Sequence, residues 1–164
     1  MTLPEQERER FCQVLHHSRT SLYRLAFSIT RNSSDAQEAV AEAVCRAYER
    51  YPQLREKEKL PRWLLKITAN EARRLCQRRG RTVSLDDLPT EPAIPGRETG
   101  DDTLWQAVQT LPQDQREAVV LFYYEDLPTE EIARIVGTSP GAVRVRLSRA
   151  REKLRSILKE GDYG

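Results

Sequence analysis

Glu131-Ile132-Ala133-Arg134-Ile135-Val136-Gly137-Thr138-Ser139-Pro140-Gly141-Ala142-Val143-Arg144-Val145-Arg146-Leu147-Ser148-Arg149-Ala150-Arg151 decides how the rest of this chain is read. A short apolar helix from about Glu130 to Val136 stops at Gly137, where glycine can take the left-handed conformation that closes a helix. Ser139 is placed to cap a second helix, and Pro140 falls in its first turn, where a missing N–H costs nothing. Two helices joined by so tight a turn form a helix-turn-helix, and the second would enter the DNA major groove. At 100° per residue, Val143, Leu147, Ala150 and Leu154 share one side and should pack inward. Arg144, Val145, Ser148, Arg149 and Arg151 occupy the outward arc, with Arg155 further along. From Ser139 to Lys159 seven basic residues face only Glu152, a net of +6.

Working outward, the formal net charge of +2 conceals a segregation. Arg62, Lys66, Arg73, Arg74, Arg78, Arg79 and Arg81 stand against Glu71 alone, again +6, whereas residues 82–102 hold Arg97 against Asp86, Asp87, Glu91, Glu98, Asp101 and Asp102, a net of −5. That acidic stretch also contains Pro89, Pro92, Pro95, Gly96 and Gly100, which break regular structure. It is expected to be a flexible acidic linker, residues 81–101, between two small helical domains, 1–80 and 102–164.

The expected fold is all-α. Phe11, Val14, Leu15, Leu22, Leu25, Ala26 and Ile29 mark a first helix from Glu5 to Thr30, with an interruption possible near His17 to Thr20. Ser34-Asp35-Ala36-Gln37 has the form of a capping box for a second helix, with Ala36, Val40, Ala43, Val44 and Ala47 inward. A charged loop from Pro52 to Leu60 follows, and Pro61 opens a third helix closed by Gly80. Beyond the linker, Asp101 or Asp102 caps a helix through Leu104, Val108 and Leu111. Pro112 begins another through Phe122, and Asp126 to Thr129 is the break before the helix-turn-helix.

The 38% apolar and 32% charged composition fits a soluble chain, and no apolar run nears the roughly 18 to 20 residues that span a bilayer. Met1 to Arg10 is charged and lacks a signal core, so a cytoplasmic location is expected. With the sequence ending at Gly164, no extra C-terminal regulatory domain is expected. Cys12, Cys45 and Cys76, three and widely spaced, form neither a disulfide framework nor a zinc site, and read as small buried thiols. His16-His17 has no acid or nucleophile in a catalytic arrangement, and no glycine loop cradles a phosphate. Neither an enzyme nor a cofactor-binding, metal-binding or small-molecule-binding protein is expected.

Two groups of residues carry a family resemblance over about Leu22 to Leu158. The first is Leu22-Tyr23-Arg24-Leu25-Ala26, Asp35-Ala36-Gln37-Glu38-Ala39-Val40-Ala41-Glu42 with Arg46-Ala47-Tyr48, and Trp63-Leu64-Leu65-Lys66-Ile67-Thr68-Ala69-Asn70. The second is Leu111-Pro112 with Arg116, Glu131-Ile132-Ala133, and Val143-Arg144 with Arg146-Leu147-Ser148-Arg149-Ala150-Arg151. In this order they resemble the extracytoplasmic-function (ECF, group 4) RNA polymerase sigma factors of the sigma-70 family, which keep a promoter −10 domain (region 2) and a −35 domain (region 4).

The resemblance implies transcription initiation with core RNA polymerase, through its β′ clamp helices and β flap, on promoter DNA, under a dedicated anti-sigma factor. Asp35, Glu38, Glu42 and Arg46 would meet the polymerase. Lys59, Leu60, Arg62, Trp63, Lys66, Asn70 and Arg73 would handle the −10 strand, whose separated bases and phosphates suit a pocket beside basic residues. Trp63 reads as a core or pocket-wall residue in preference to a stacking platform. Ser139, Gly141, Ala142, Arg144, Val145, Ser148, Arg149 and Arg151 would contact −35 DNA, the amides of Gly141 and Ala142 holding a phosphate and Arg144 and Arg149 reading guanine. Ala41, Val44, Arg74 and Val145 depart from the glutamine, aromatic, acid and small polar residue common in the family. The competing expectations are a stand-alone helix-turn-helix regulator of duplex DNA and an adaptor without DNA specificity. A basic third helix beside a charged loop has no purpose in a repressor.

Overall fold

The structure, a computed structural model, describes residues 3–80 and 102–161. They are helical, with no strand among the described residues, and the chain divides into two compact units, residues 1–83 and 84–164. The expected linker, residues 81–101, lies outside the described residues, as does Asp101, one of its two candidate caps.

The first unit packs three helices, α1 (Glu5–Thr30), α2 (Ser33–Arg50) and α3 (Leu60–Arg78). α1 runs through His17 to Thr20 without interruption, and His16 and His17 are exposed. It closes at Arg31, a left-handed residue with φ 54° whose N–H donates to the Phe27 carbonyl at 2.7 Å. The start of α2 differs from expectation. Asn32, extended in backbone, accepts from the Asp35 N–H at 2.9 Å and is the cap, while Ser34 is already the second residue of the helix. An Asx oxygen in this position satisfies one of the amides that a helix start leaves without a partner.

Alanines at 36, 39, 43 and 47 are the buried residues of α2, which packs against both α1, where Leu22, Leu25 and Ala26 are buried, and α3, where Leu64, Leu65, Ala69 and Ala72 are. Val40 and Val44 are only half-buried, because the apolar stripe centres on the small residues. Phe11 meets Tyr48 and Tyr51 edge to face, each with centroids 5.4 Å away. The loop from Pro52 to Leu60 is more regular than expected, with two 3-10 turns, Tyr51–Gln53 and Lys57–Lys59. The thiols differ too: Cys12 and Cys45 are exposed, and Cys76 is half-buried.

The second unit contains α4 (Asp102–Gln109), α5 (Gln113–Val119), α6 (Thr129–Val136) and α7 (Pro140–Gly161). α4 stops short of Leu111 because Thr110 and Leu111 turn their N–H groups to the carbonyls of Ala107 and Val108, three residues back. The buried Arg116 donates from Nη1 to the Leu111 carbonyl at 2.7 Å and so closes that turn. α5 continues as a π-helical turn, Val120–Tyr124, whose wider spiral places Tyr123 at the surface. Trp105, Val108, Leu111, Val120, Leu121 and Ile132 fill the core on which α7 lies.

Candidate nucleic-acid interface

The expected punctuation of the helix-turn-helix is present. Gly137 closes α6 at φ 77° with its N–H on the Ala133 carbonyl at 2.8 Å. Ser139 Oγ accepts from the Ala142 N–H at 3.1 Å and caps α7. That bond also corrects an expectation: the Ala142 amide, read as a phosphate donor, is engaged by the cap. Gly141 remains at the helix start, with Arg144 Nη2 3.8 Å from where a side chain on it would begin.

Val143, Leu147 and Ala150 are essentially inaccessible and Leu154 is buried, so the inward face of α7 is the one that the 100° count gives. Arg144, Val145, Ser148, Arg149 and Arg155 are exposed, Val145 at 48%. Among the described residues no carboxylate pairs with Arg144 or Arg149, and a guanidinium in that state offers its donor fork to an incoming acceptor. Arg146 leans toward Asp114 Oδ2 at 3.8 Å. Arg151 is half-buried and departs from the outward arc. Its Nε donates to the Tyr123 hydroxyl at 2.6 Å, and its guanidinium lies 5.7 Å and 5.8 Å from the ring centroids of Phe122 and Tyr123. The π turn sets up this clasp by delivering both rings to the flank of α7.

In the first unit, Arg62, Lys66 and Asn70 lie on α3 at a spacing of four and are exposed, with the half-buried Arg73 continuing the stripe. Asn70 Oδ1 accepts from Arg73 Nη1 at 3.4 Å. Such a row of donors suits the phosphates of a strand. Trp63 is half-buried beside it. Lys59 is exposed and pairs with Glu56 at 2.9 Å. Leu60 is fully buried. An apolar side chain at the first position of α3 drops into the core and anchors the loop from beneath, so in this structure it is no DNA contact.

The four residues expected on the polymerase face lie together along α2, and all four already have partners within the unit. Arg79 bridges Asp35 at 3.0 Å and Glu38 at 3.3 Å. Arg46 Nε stands 3.4 Å from Glu42 and 3.1 Å from Glu71. Glu71 is buried and also meets Arg74 Nη1 at 3.2 Å. The unusual Arg74 thus has a structural role, since with Arg46 it gives a buried carboxylate cationic partners on two sides.

Sequence reasoning passed over Lys57, Glu71, Arg79 and Tyr123 as site residues. Only Glu71 carried a signal, as the one acid in a basic helix. Among the described residues no group of histidines, cysteines and acids could hold a metal ion, and no helix is long and apolar enough to cross a membrane.

With this geometry in hand, comparison with known proteins gives two family matches, to sigma-70 region 2 over residues 14–82 and to sigma-70 region 4 over residues 101–154. The chain is 32% identical over 142 residues to the RNA polymerase sigma factor SigV of Bacillus subtilis, covering 85% of this chain and 86% of that protein. It is 34% identical over 148 residues to a probable RNA polymerase sigma factor, RfaY, of Xanthomonas campestris, covering 82% of this chain but only 36% of that longer protein. Among solved structures it is similar to the sigma factor RpoE of Bartonella quintana in complex with the anti-sigma factor NepR. The TM-score is 0.73 and the identity 28%, over 91% of this chain and 96% of that one.

Proposed function

From the premise that this chain belongs to the ECF sigma factors of the sigma-70 family, we propose how its residues divide the work of promoter recognition. Residues 1–80 act as region 2, residues 81–101 as the linker and residues 102–164 as region 4. The chain binds core RNA polymerase and directs initiation. It needs no active site of its own, because the polymerase performs the chemistry, and it works in the cytoplasm, where polymerase and DNA are.

The −35 element meets the exposed face of α7. Arg144 and Arg149 read base edges, Ser148 and Val145 lie against the groove, and the helix start at Ser139 and Gly141 receives a phosphate. Ala142 supports that start through the cap, and Arg151 borders the face from its clasp on Tyr123. The −10 strand runs along Arg62, Lys66, Asn70 and Arg73, with Trp63 and Lys59 at its edge and Leu60 fixing the loop from inside. Asp35, Glu38, Glu42 and Arg46 present α2 to the β′ clamp helices of the polymerase, and the second unit meets the β flap. An anti-sigma factor, such as the one bound to the similar Bartonella protein, would cover these surfaces.

The observation that carries this reading is a second basic helix, α3, in a unit separate from the helix-turn-helix. Purified chain added to core polymerase should start transcription at a defined site, while the chain alone binds duplex promoter poorly. Tight footprinting as a free dimer, with no initiation on any genomic template, would instead favour a stand-alone regulator.

A further inference from the structure

The loop between α2 and α3 is fastened at one point. The Tyr51 carbonyl, at the end of α2, accepts from the Leu54 N–H at 3.0 Å and from Lys57 Nζ at 2.6 Å. The same Nζ stands 4.1 Å from the Tyr51 ring centroid. An ammonium there meets two attractions at once, the negative end of the α2 dipole and the face of an aromatic ring. Tyr51 is itself immobilised, fully buried with Phe11 against it.

Lys57 also stands apart from its neighbours. Arg55, Glu56, Glu58 and Lys59 are exposed, whereas Lys57 is half-buried and turned inward. Beyond it the Lys59 N–H closes on the Glu56 carbonyl at 3.0 Å, and Leu60 enters the core. The exposed residues of the loop are therefore displayed on a short span pinned at Lys57 and at Leu60.

We infer that Lys57 is a positioning residue for base selection at the −10 element: clamped on Tyr51, it holds residues 55–59 in the shape that receives an unstacked base. It touches no DNA itself. This rests on the reading of that loop as part of the −10 reader.

The test uses holoenzyme assembled from core polymerase and the full chain, with transcription from a promoter library randomised across the −10 element. Lys57→Met keeps the aliphatic stem and removes the ammonium. It is expected to flatten base preference at one −10 position by about tenfold, within the range that a single mismatched pair spans, while preferences elsewhere hold and the chain stays folded at the assay temperature. Lys57→Arg should restore the preference, since a guanidinium can both donate to the carbonyl and stack on the ring. An unchanged preference profile, or an equal loss at every position, would overturn the inference. A Glu56→Ala, Lys59→Ala double variant separates the two levels. If it alters one −10 preference and Lys57→Met alters none, the positioning role fails; if neither variant alters any, the reading of the loop fails with it.

Discussion

Arg79, just past the end of α3, lies with Nη1 3.0 Å from Asp35 Oδ1 in the first turn of α2. Its other terminal nitrogen reaches Glu38 at 3.3 Å. Two of the three carboxylates proposed to meet the polymerase thus already share one cation within their own unit, and docking has to displace or share that guanidinium. Arg79→Ala is expected to tighten binding to core polymerase by up to about fivefold, because an exposed ion pair is worth at most about 1 kcal/mol. The gain should shrink with added salt. Titration of labelled chain with core enzyme at two salt concentrations measures it, and weaker binding would show that Arg79 itself contacts the polymerase.

Arg144 and Arg149 are assigned to base edges. Each change to alanine should lower promoter affinity by about 1–3 kcal/mol on the preferred −35 sequence and much less on sequences altered at the base read. Holoenzyme binding to a panel of −35 substitutions separates the two. A loss equal on all sequences would make the residue a phosphate contact.

The entry to α7 is stabilised by local chemistry that can be removed one bond at a time. Ser139→Ala deletes the acceptor for the Ala142 N–H and should cost the second unit about 1 kcal/mol in denaturant unfolding. Gly137→Ala places a Cβ in open space at φ 77°, so its cost of about 1 kcal/mol is backbone strain alone. A loss from Gly137→Asn as large as that from Gly137→Ala would contradict this, since asparagine tolerates the left-handed region.

Burial pushes the Tyr51 phenol above its ordinary value of 10.0, and Glu7 beside it pushes the same way. The neutral phenol is the form the fold favours. Its contribution is fully present below about pH 10, the unfolded value, and is lost as pH rises through the higher folded value. Tyr51→Phe keeps the ring and removes the titration. Stability of the wild-type chain should therefore fall more steeply above about pH 10 than that of the variant, as read from urea midpoints across the alkaline range. Parallel pH profiles would count against it.

The parts of the site that were legible in the sequence are those that local chemistry determines. Gly137 and Ser139 announce the turn and cap because few residue types serve there, and Val143, Leu147, Ala150 and Leu154 follow from helical periodicity alone. Arg151 was misplaced because it borders the core face, and a π turn that periodicity does not register brings Tyr123 beside it. The Lys57 clamp and the Arg79 bridge join residues on different elements, one of them across more than forty positions, and nothing in their local sequence marks them. Leu60 looked like a loop residue by position, yet its side chain belongs to the core.

In the proposed division of labour the two basic helices act together, α7 holding the −35 element while α3 takes part in opening the −10 element. Permanganate reactivity of promoter thymines tests it most directly. Reactive thymines just upstream of the start site are expected with core polymerase plus chain. None are expected with the chain alone, and a Lys66→Ala, Asn70→Ala double variant that still protects the −35 region should lose them sharply. Wild-type reactivity from that double variant, or strand opening by the free chain, would contradict it.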